Sequence, residues 1–283
     1  MKPAIWCGFI CWLLLWPNFS EAQEGGFVLW GCTIGPIDAG IVEVLENAFE
    51  KETGIRVRHV GAGTGAALDI ARKGNLDLVM VHAKALEEKF VDEGFGTRRF
   101  PLMYNDFVIV GPDSDPAGIK GRKQATEALK KISEEGAPFV SRGDKSGTHV
   151  AEMELWAKAG IQPQGPGYIV YEKGAEGNVA TLRFADQKEA YTVIDRATYL
   201  SLKDQIKLGI LVEKDEALLN FISLIPVNPK KFPRVNSEDT MTFVQWLTSP
   251  EKGQKIIRDF GKEKYGAPLF FPNSREWQEK QVQ

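Results

Sequence analysis

The chain has 283 residues, of which 43% are hydrophobic and 26% charged, and its formal charge is −3. That composition is ordinary for a globular protein and supports one large core or two modest ones, so disorder is not expected. A slightly acidic balance argues against nucleic acid as a partner.

The N-terminus departs from this average. Lys2 precedes an apolar run from Ile5 to Trp16, which is followed by Pro17, Asn18 and the small-x-small triplet Ser20-Glu21-Ala22. This order of basic, apolar and cleavage regions predicts a secretory signal peptide over residues 1–22. An apolar run of about 12 residues falls short of the ~20 that a membrane span needs. Cys7 and Cys11 lie in the apolar run without a lipoprotein cleavage box, so a soluble periplasmic product is expected. After cleavage only Cys32 remains, and no intrachain disulfide can form.

Beyond that segment, short apolar runs alternate with helical-period segments. A strand is expected at Phe27 to Gly31, then a helix near Ile41 to Lys51 with Val42, Leu45 and Phe49 on one face. Ile55 to Val60 and Leu76 to Val81 read as strands, and Ala66 to Arg72 and Lys84 to Asp92 as helices. Strands separated by single helices predict parallel pairing with right-handed crossovers, hence an α/β fold. Phe107 to Val110 is an apolar strand that runs into Gly111-Pro112 and a turn-rich stretch, and it is read as a first crossing between lobes.

A second α/β series follows, with helices near 123–135, 147–159 and 178–187 and strands at 138–141, 168–171 and 190–194. Leu218 to Val227 reads as the returning strand, and two amphipathic helices, 237–248 and 250–260, precede an extension from Ala267 to Pro272. The expected architecture is two-lobed α/β with mostly parallel sheets and a two-strand hinge. Lobe 1 comprises 23–110 plus 225–283, and lobe 2 comprises 111–224.

Three segments place small or hydroxyl residues where a strand gives way to a helix. They are the loop from Gly31 to Pro36, with Thr33, Ile34 and Gly35; the loop from Gly61 to Gly65, with Gly63, Thr64 and Gly65; and the loop from Ser141 to Thr148. A helix N-terminus offers up to four unpaired N–H groups and a partial positive charge, so such a loop can cradle an anion. In the third loop Ser141, Ser146, Gly147 and Thr148 supply donors, and the forked guanidinium of Arg142 supplies a fixed charge able to hold two oxygens. Three converging loops would suit a tetrahedral dianion. Taken singly, the first two loops are equally well read as ordinary helix capping.

Other chemistries find less support. The Gly61 to Gly65 run lacks the Gly-Lys-Ser/Thr ending of a phosphate-binding loop. His59, His82 and His149 lack metal-ligand spacing, and no Gly-x-Ser-x-Gly elbow marks a nucleophile. Neither a cofactor nor a metal site is implied, and no catalytic residue is assigned.

The stretches GAGTGAAL at 61–68, DLVMVHAKALEEKFVDEGFG at 77–96, MYNDFVIVGPDSDPAGI at 103–119 and FVSRGDKSGTHVAEMELW at 139–156 make the chain resemble the Tup-type tungstate-binding periplasmic proteins. AYTVIDRATYL at 190–200 and LLNFISLIPVNP at 218–229 extend the likeness over nearly the whole mature chain. The resemblance implies a class II periplasmic-binding-protein clamshell that works as a monomer and hands a small oxyanion to an ABC permease. Its ligands would come from the three loops, with Arg142 and Thr148 at matching positions. Where the family's first loop reads Thr-Thr-Thr-Ser, this chain has Cys32-Thr33-Ile34-Gly35, and YEKGAEGNVATL at 171–182 replaces a turn richer in Gly and Met. Tungstate is therefore the first expectation. Molybdate, vanadate or a small carboxylate is the alternative, and an enzyme on the same fold is a further one.

Overall fold

A computed structural model describes residues 27–282, so the expected signal peptide, with Cys7 and Cys11, lies outside the described residues. β1 (Phe27–Cys32) is followed by α1 (Ile34–Ala39), α2 (Ile41–Thr53), β2 (Arg56–Gly61), α3 (Thr64–Ala71), β3 (Leu78–Val81) and α4 (Lys84–Asp92). β4 (Phe100–Gly111) leads to α5 (Ala125–Glu134), β5 (Phe139–Ser141), α6 (Gly147–Lys158), β6 (Tyr168–Val170), α7 (Asn178–Gln187), β7 (Thr192–Asp195), α8 (Arg196–Leu202) and β8 (Gly209–Val212). β9 (Leu219–Pro226) then returns to α9 (Ser237–Thr248), α10 (Gly253–Asp259), α11 (Lys262–Tyr265), β10 (Phe271–Pro272) and α12 (Arg275–Val282).

β1 lies inside the first sheet, parallel to β2 on one side and to β3 on the other, and the order continues through β9 and β4 to β10. Side chains alternate across this sheet. Val28, Trp30 and Cys32 of β1 enter one core with Ile41, Leu45 and Phe49 of α2 and Phe243 of α9, while Leu29 packs on the opposite core with Ala67, Leu68 and Ala71 of α3. Trp30 meets Phe243 edge-on with ring centroids 5.0 Å apart, a geometry that adds about 0.5–1.5 kcal/mol beyond burial.

β4 explains the two-lobed arrangement. Its first half, Phe100 to Asp106, pairs with β9, whereas Phe107 to Gly111 pair with β7 and β8. The period-2 alternation then serves a second pair of cores. Phe107 and Ile109 pack with residues of α5 and α6, and Val108 and Val110 with Leu182 and Ala185 of α7. The small β5–β6 sheet joins this side through the Val140 N–H, which donates to the Tyr191 carbonyl at 2.8 Å. Core residues drawn from 28–103 and 222–270 thus separate from those of 107–218, although Ala197 and Leu200 of α8 reach across to the first group.

The expectation of mostly parallel sheets needs correction, because β1–β2, β1–β3 and β5–β6 are parallel while β3–β9 and every pairing of β4 are antiparallel. The reason is that β4 and β9 are crossing strands and not members of β-α-β units.

Candidate functional site

The first two loops singled out in the sequence are shorter than expected because their helices begin earlier, while the third helix begins at Gly147 as expected. α1 starts at Ile34, α3 at Thr64 and α6 at Gly147, which makes Thr33, Gly63 and Ser146 the N-caps. Pro36 is compatible with α1 because a first-turn residue needs no intrahelical N–H bond. β1 and β2 run parallel with Cys32 opposite Gly61, so the first two loops leave the sheet side by side, tied by the Ala62 N–H donating to the Cys32 carbonyl at 2.9 Å.

The donors at these helix starts are largely uncommitted. Ser146 accepts from the His149 N–H at 3.5 Å, but Thr33 and Gly63 offer their helices no side-chain cap. Among the described residues, the N–H groups of Ile34, Gly35, Thr64, Gly65, Gly147 and Thr148 have no acceptor. A Cβ added at Gly35, Gly63 or Gly65 would meet nothing within 4 Å, so these glycines border open space. Thr33 is only 2% exposed, yet its hydroxyl has no hydrogen-bond partner. A buried polar atom without a partner costs about 1–3 kcal/mol and calls for an explanation.

The third loop is held from below. Ser141 is fully buried and donates to Glu152 Oε2 at 2.7 Å, so its hydroxyl is engaged in the interior. Glu152 Oε1 also accepts from Tyr168 at 2.8 Å and from Trp156 Nε1 at 3.2 Å. Burial pushes the Glu152 carboxyl up to about 7, against the opposing pull of these donors. Gly143, at φ 69°, occupies the left-handed region, and a Cβ there would sit 2.4 Å from Val170 Cγ1.

Arg142 is fixed on three sides. Its Nε donates to the Gly174 carbonyl at 3.1 Å, one terminal nitrogen donates to Asn178 Oδ1, and the other pairs with Asp144 at 3.0 Å. Asn178 in turn donates to Asp195 Oδ2 at 2.7 Å, and Asp195 caps α8 by accepting from the Thr198 N–H at 2.8 Å.

Two relationships bring the loops together across the molecule. The His82 backbone N–H donates to Thr64 Oγ1 at 3.4 Å, and the His82 ring lies 3.0 Å from where a Cβ of Gly147 would be, which sets α3 and α6 against one residue. On the other flank Asp38 of α1 has its carboxyl pushed up by burial and by the charge of Asp195, while Arg142 pulls it down. The sequence marks His82 only as a histidine without metal-ligand spacing and gives no signal for Asn178 or Glu152; the Asp195-x-x-Thr198 spacing carries that of an N-cap. Among the described residues no three His, Cys, Asp or Glu side chains form a metal-binding group, and no helix is long and apolar enough to cross a membrane.

The sequence and the fold are matched by known proteins. The PBP superfamily domain model covers residues 29–251. A curated tungstate-binding protein TupA from Peptoclostridium acidaminophilum is 45% identical over 257 residues, which is 90% of this chain and 88% of the relative. The chain belongs to the Tup-type branch of the PBP superfamily. Another Tup-type match, the solved tungstate-binding protein TupA from Desulfovibrio alaskensis G20, superposes with a TM-score of 0.79 at 42% identity, covering 88% of this chain and all of that one. A putative ABC transporter anion-binding protein from Haloferax volcanii is 42% identical over 90% of this chain and 75% of its own length.

Proposed function

We propose that this chain is a non-enzymatic periplasmic binding protein that captures a tetrahedral oxyanion, tungstate first, and delivers it to an ABC permease. The observation that carries this reading is the buried, unpartnered hydroxyl of Thr33 beside uncommitted N–H groups of Ile34 and Gly35. An oxyanion oxygen would give that hydroxyl its acceptor. Gly63, Thr64 and Gly65 would supply backbone donors from α3, Gly147 and Thr148 from α6, and Arg142 the charge. Ser146 would keep the α6 turn in shape and Ser141 would hold the loop through Glu152. The relatives named for tungstate and for anion binding support the same class of ligand.

In this reading the expected lobes, 23–110 plus 225–283 and 111–224, divide instead within β4 and β9, since Phe107 to Val110 pack with the second and Ile222 and Leu224 with the first; the protein acts as a monomer, and residues 1–22 direct export. Closure would turn on β4 and β9, and the bound anion selects the closed form by bridging donors from both lobes. A different anion is favoured by one feature. Ile34 is 47% exposed and Gly35 borders open space, so the first loop presents one hydroxyl and more room. Thermal shift against tungstate, molybdate, vanadate, sulfate and small carboxylates tests both, since tight binding raises the melting temperature by mass action. Stabilisation by no oxyanion overturns the function; stabilisation by another oxyanion and not tungstate selects the second reading.

A further inference from the structure

His82 follows β3 and sits between the starts of two helices, with its backbone N–H on Thr64 at 3.4 Å and its ring against Gly147. Both helices leave first-turn N–H groups without acceptors there. Asn220 of β9, whose side chain donates to Asn105 at 2.8 Å, pulls the imidazole pKa upward against the effect of burial. The imidazole Cε1 and Nε2 lie 3.0 and 3.3 Å from where a Gly147 Cβ would be, so a dianion received at the start of α6 would lie beside the ring. Resting on the reading above, we propose that His82 is a further member of the oxyanion site and takes up a proton when the anion binds.

The environment of the free protein is arranged for a neutral ring. Burial holds its pKa below the ordinary histidine range, and the positive ends of α3 and α6 act in the same direction. A bound dianion reverses the balance, because a negative charge within a few ångströms favours the imidazolium. Most charged groups on surrounding elements are engaged elsewhere, the exposed Lys145 of the third loop being without an ion pair among the described residues. On α3 Asp69 pairs with Arg72; on α4 Glu87 pairs with Arg99 and Lys84 with Glu88; and on β4 Asp106 pairs with Arg196. β9 carries no ionisable side chain. In the third loop and α6, Arg142 pairs with Asp144 and His149 accepts from the Lys145 N–H, while Glu152 is turned inward to Ser141. Glu152 is thus the competing source of a binding-linked proton.

The chain has three histidines, so their ring resonances can be assigned by NMR with His59→Gln and His149→Gln variants. At pH 7 the His82 ring is expected neutral without ligand and converted towards imidazolium on adding sodium tungstate. Titration calorimetry in two buffers of different ionisation enthalpy should show proton uptake, and affinity should rise several-fold from pH 8 to pH 6. His82→Gln should flatten that rise and Glu152→Gln should keep it. Tungstate binding with an unchanged His82 resonance overturns the proposal and leaves the function standing, as does a rise lost only in Glu152→Gln. No binding of tungstate, molybdate, vanadate or sulfate overturns the function and this proposal together.

Discussion

Ser141 donates its hydroxyl proton to Glu152 at 2.7 Å, and this one bond ties the root of the Arg142 loop to a carboxyl inside the lobe. Because burial raises that carboxyl to about 7 from 4.5, the folded chain holds a proton that the unfolded chain releases between those values. The folded state therefore carries more bound protons in that window, and this contribution to stability declines as pH rises through it. Glu152→Gln should flatten the dependence of melting temperature on pH between 5 and 8 relative to the parent. Glu46 and Glu87, also raised by burial, remain in both proteins, so the difference between the two profiles isolates Glu152. Parallel profiles would show that Glu152 titrates outside the window.

Thr33→Val separates binding from folding. The hydroxyl has no partner in the protein, so a methyl of the same shape should leave the melting temperature unchanged or slightly higher. Oxyanion affinity should fall about tenfold, the equivalent of one lost hydrogen bond of about 1–1.5 kcal/mol. Calorimetry with tungstate reads the second effect and thermal melting the first.

Arg142→Ala should lower affinity about ten- to a hundredfold, corresponding to a charge-assisted contact of about 1.5–3 kcal/mol. Asn178→Ala should weaken binding less, because the guanidinium keeps its bonds to Gly174 and Asp144. An affinity unchanged by Arg142→Ala would remove that residue from the site.

Much of this was readable from the chain, and the failures have physical causes. Alternating apolar strands and helical faces located α4 and α7 to the residue, because nothing long-range competes with their period. β4 was read as 107–110 only, since Tyr104, Asn105 and Asp106 interrupt the apolar run; the strand persists because Asn105 accepts from Asn220 of β9 and Asp106 binds Arg196. α1 was missed because Ile34-Gly35-Pro36 resembles a turn, although all three fit a first helical turn. The loops carrying Thr33, Thr64 and Arg142 were visible through Gly, Ser and Thr. His82 and Asn178 were not, because their meaning depends on contacts with residues 65 positions away at Gly147 and 36 at Arg142 that no local pattern encodes.

The glycines of the site give opposite expectations. At Gly174 an added Cβ would lie 1.7 Å from the Arg142 carbonyl oxygen, and a backbone atom cannot swing away as a side-chain tip can. Gly174→Ala should therefore destabilise by about 1–3 kcal/mol or more, displace the Arg142 loop and reduce affinity in the same protein. At Gly65 the added methyl meets nothing within 4 Å, and alanine is the better helix former by about 1 kcal/mol. Gly65→Ala should raise the melting temperature slightly. Its methyl would nevertheless project into the space that the oxyanion needs beside Thr64, so affinity should drop while stability rises. Melting curves and calorimetry on the two variants give the comparison, and a Gly65→Ala protein that binds tungstate as tightly as its parent would place the anion away from α3.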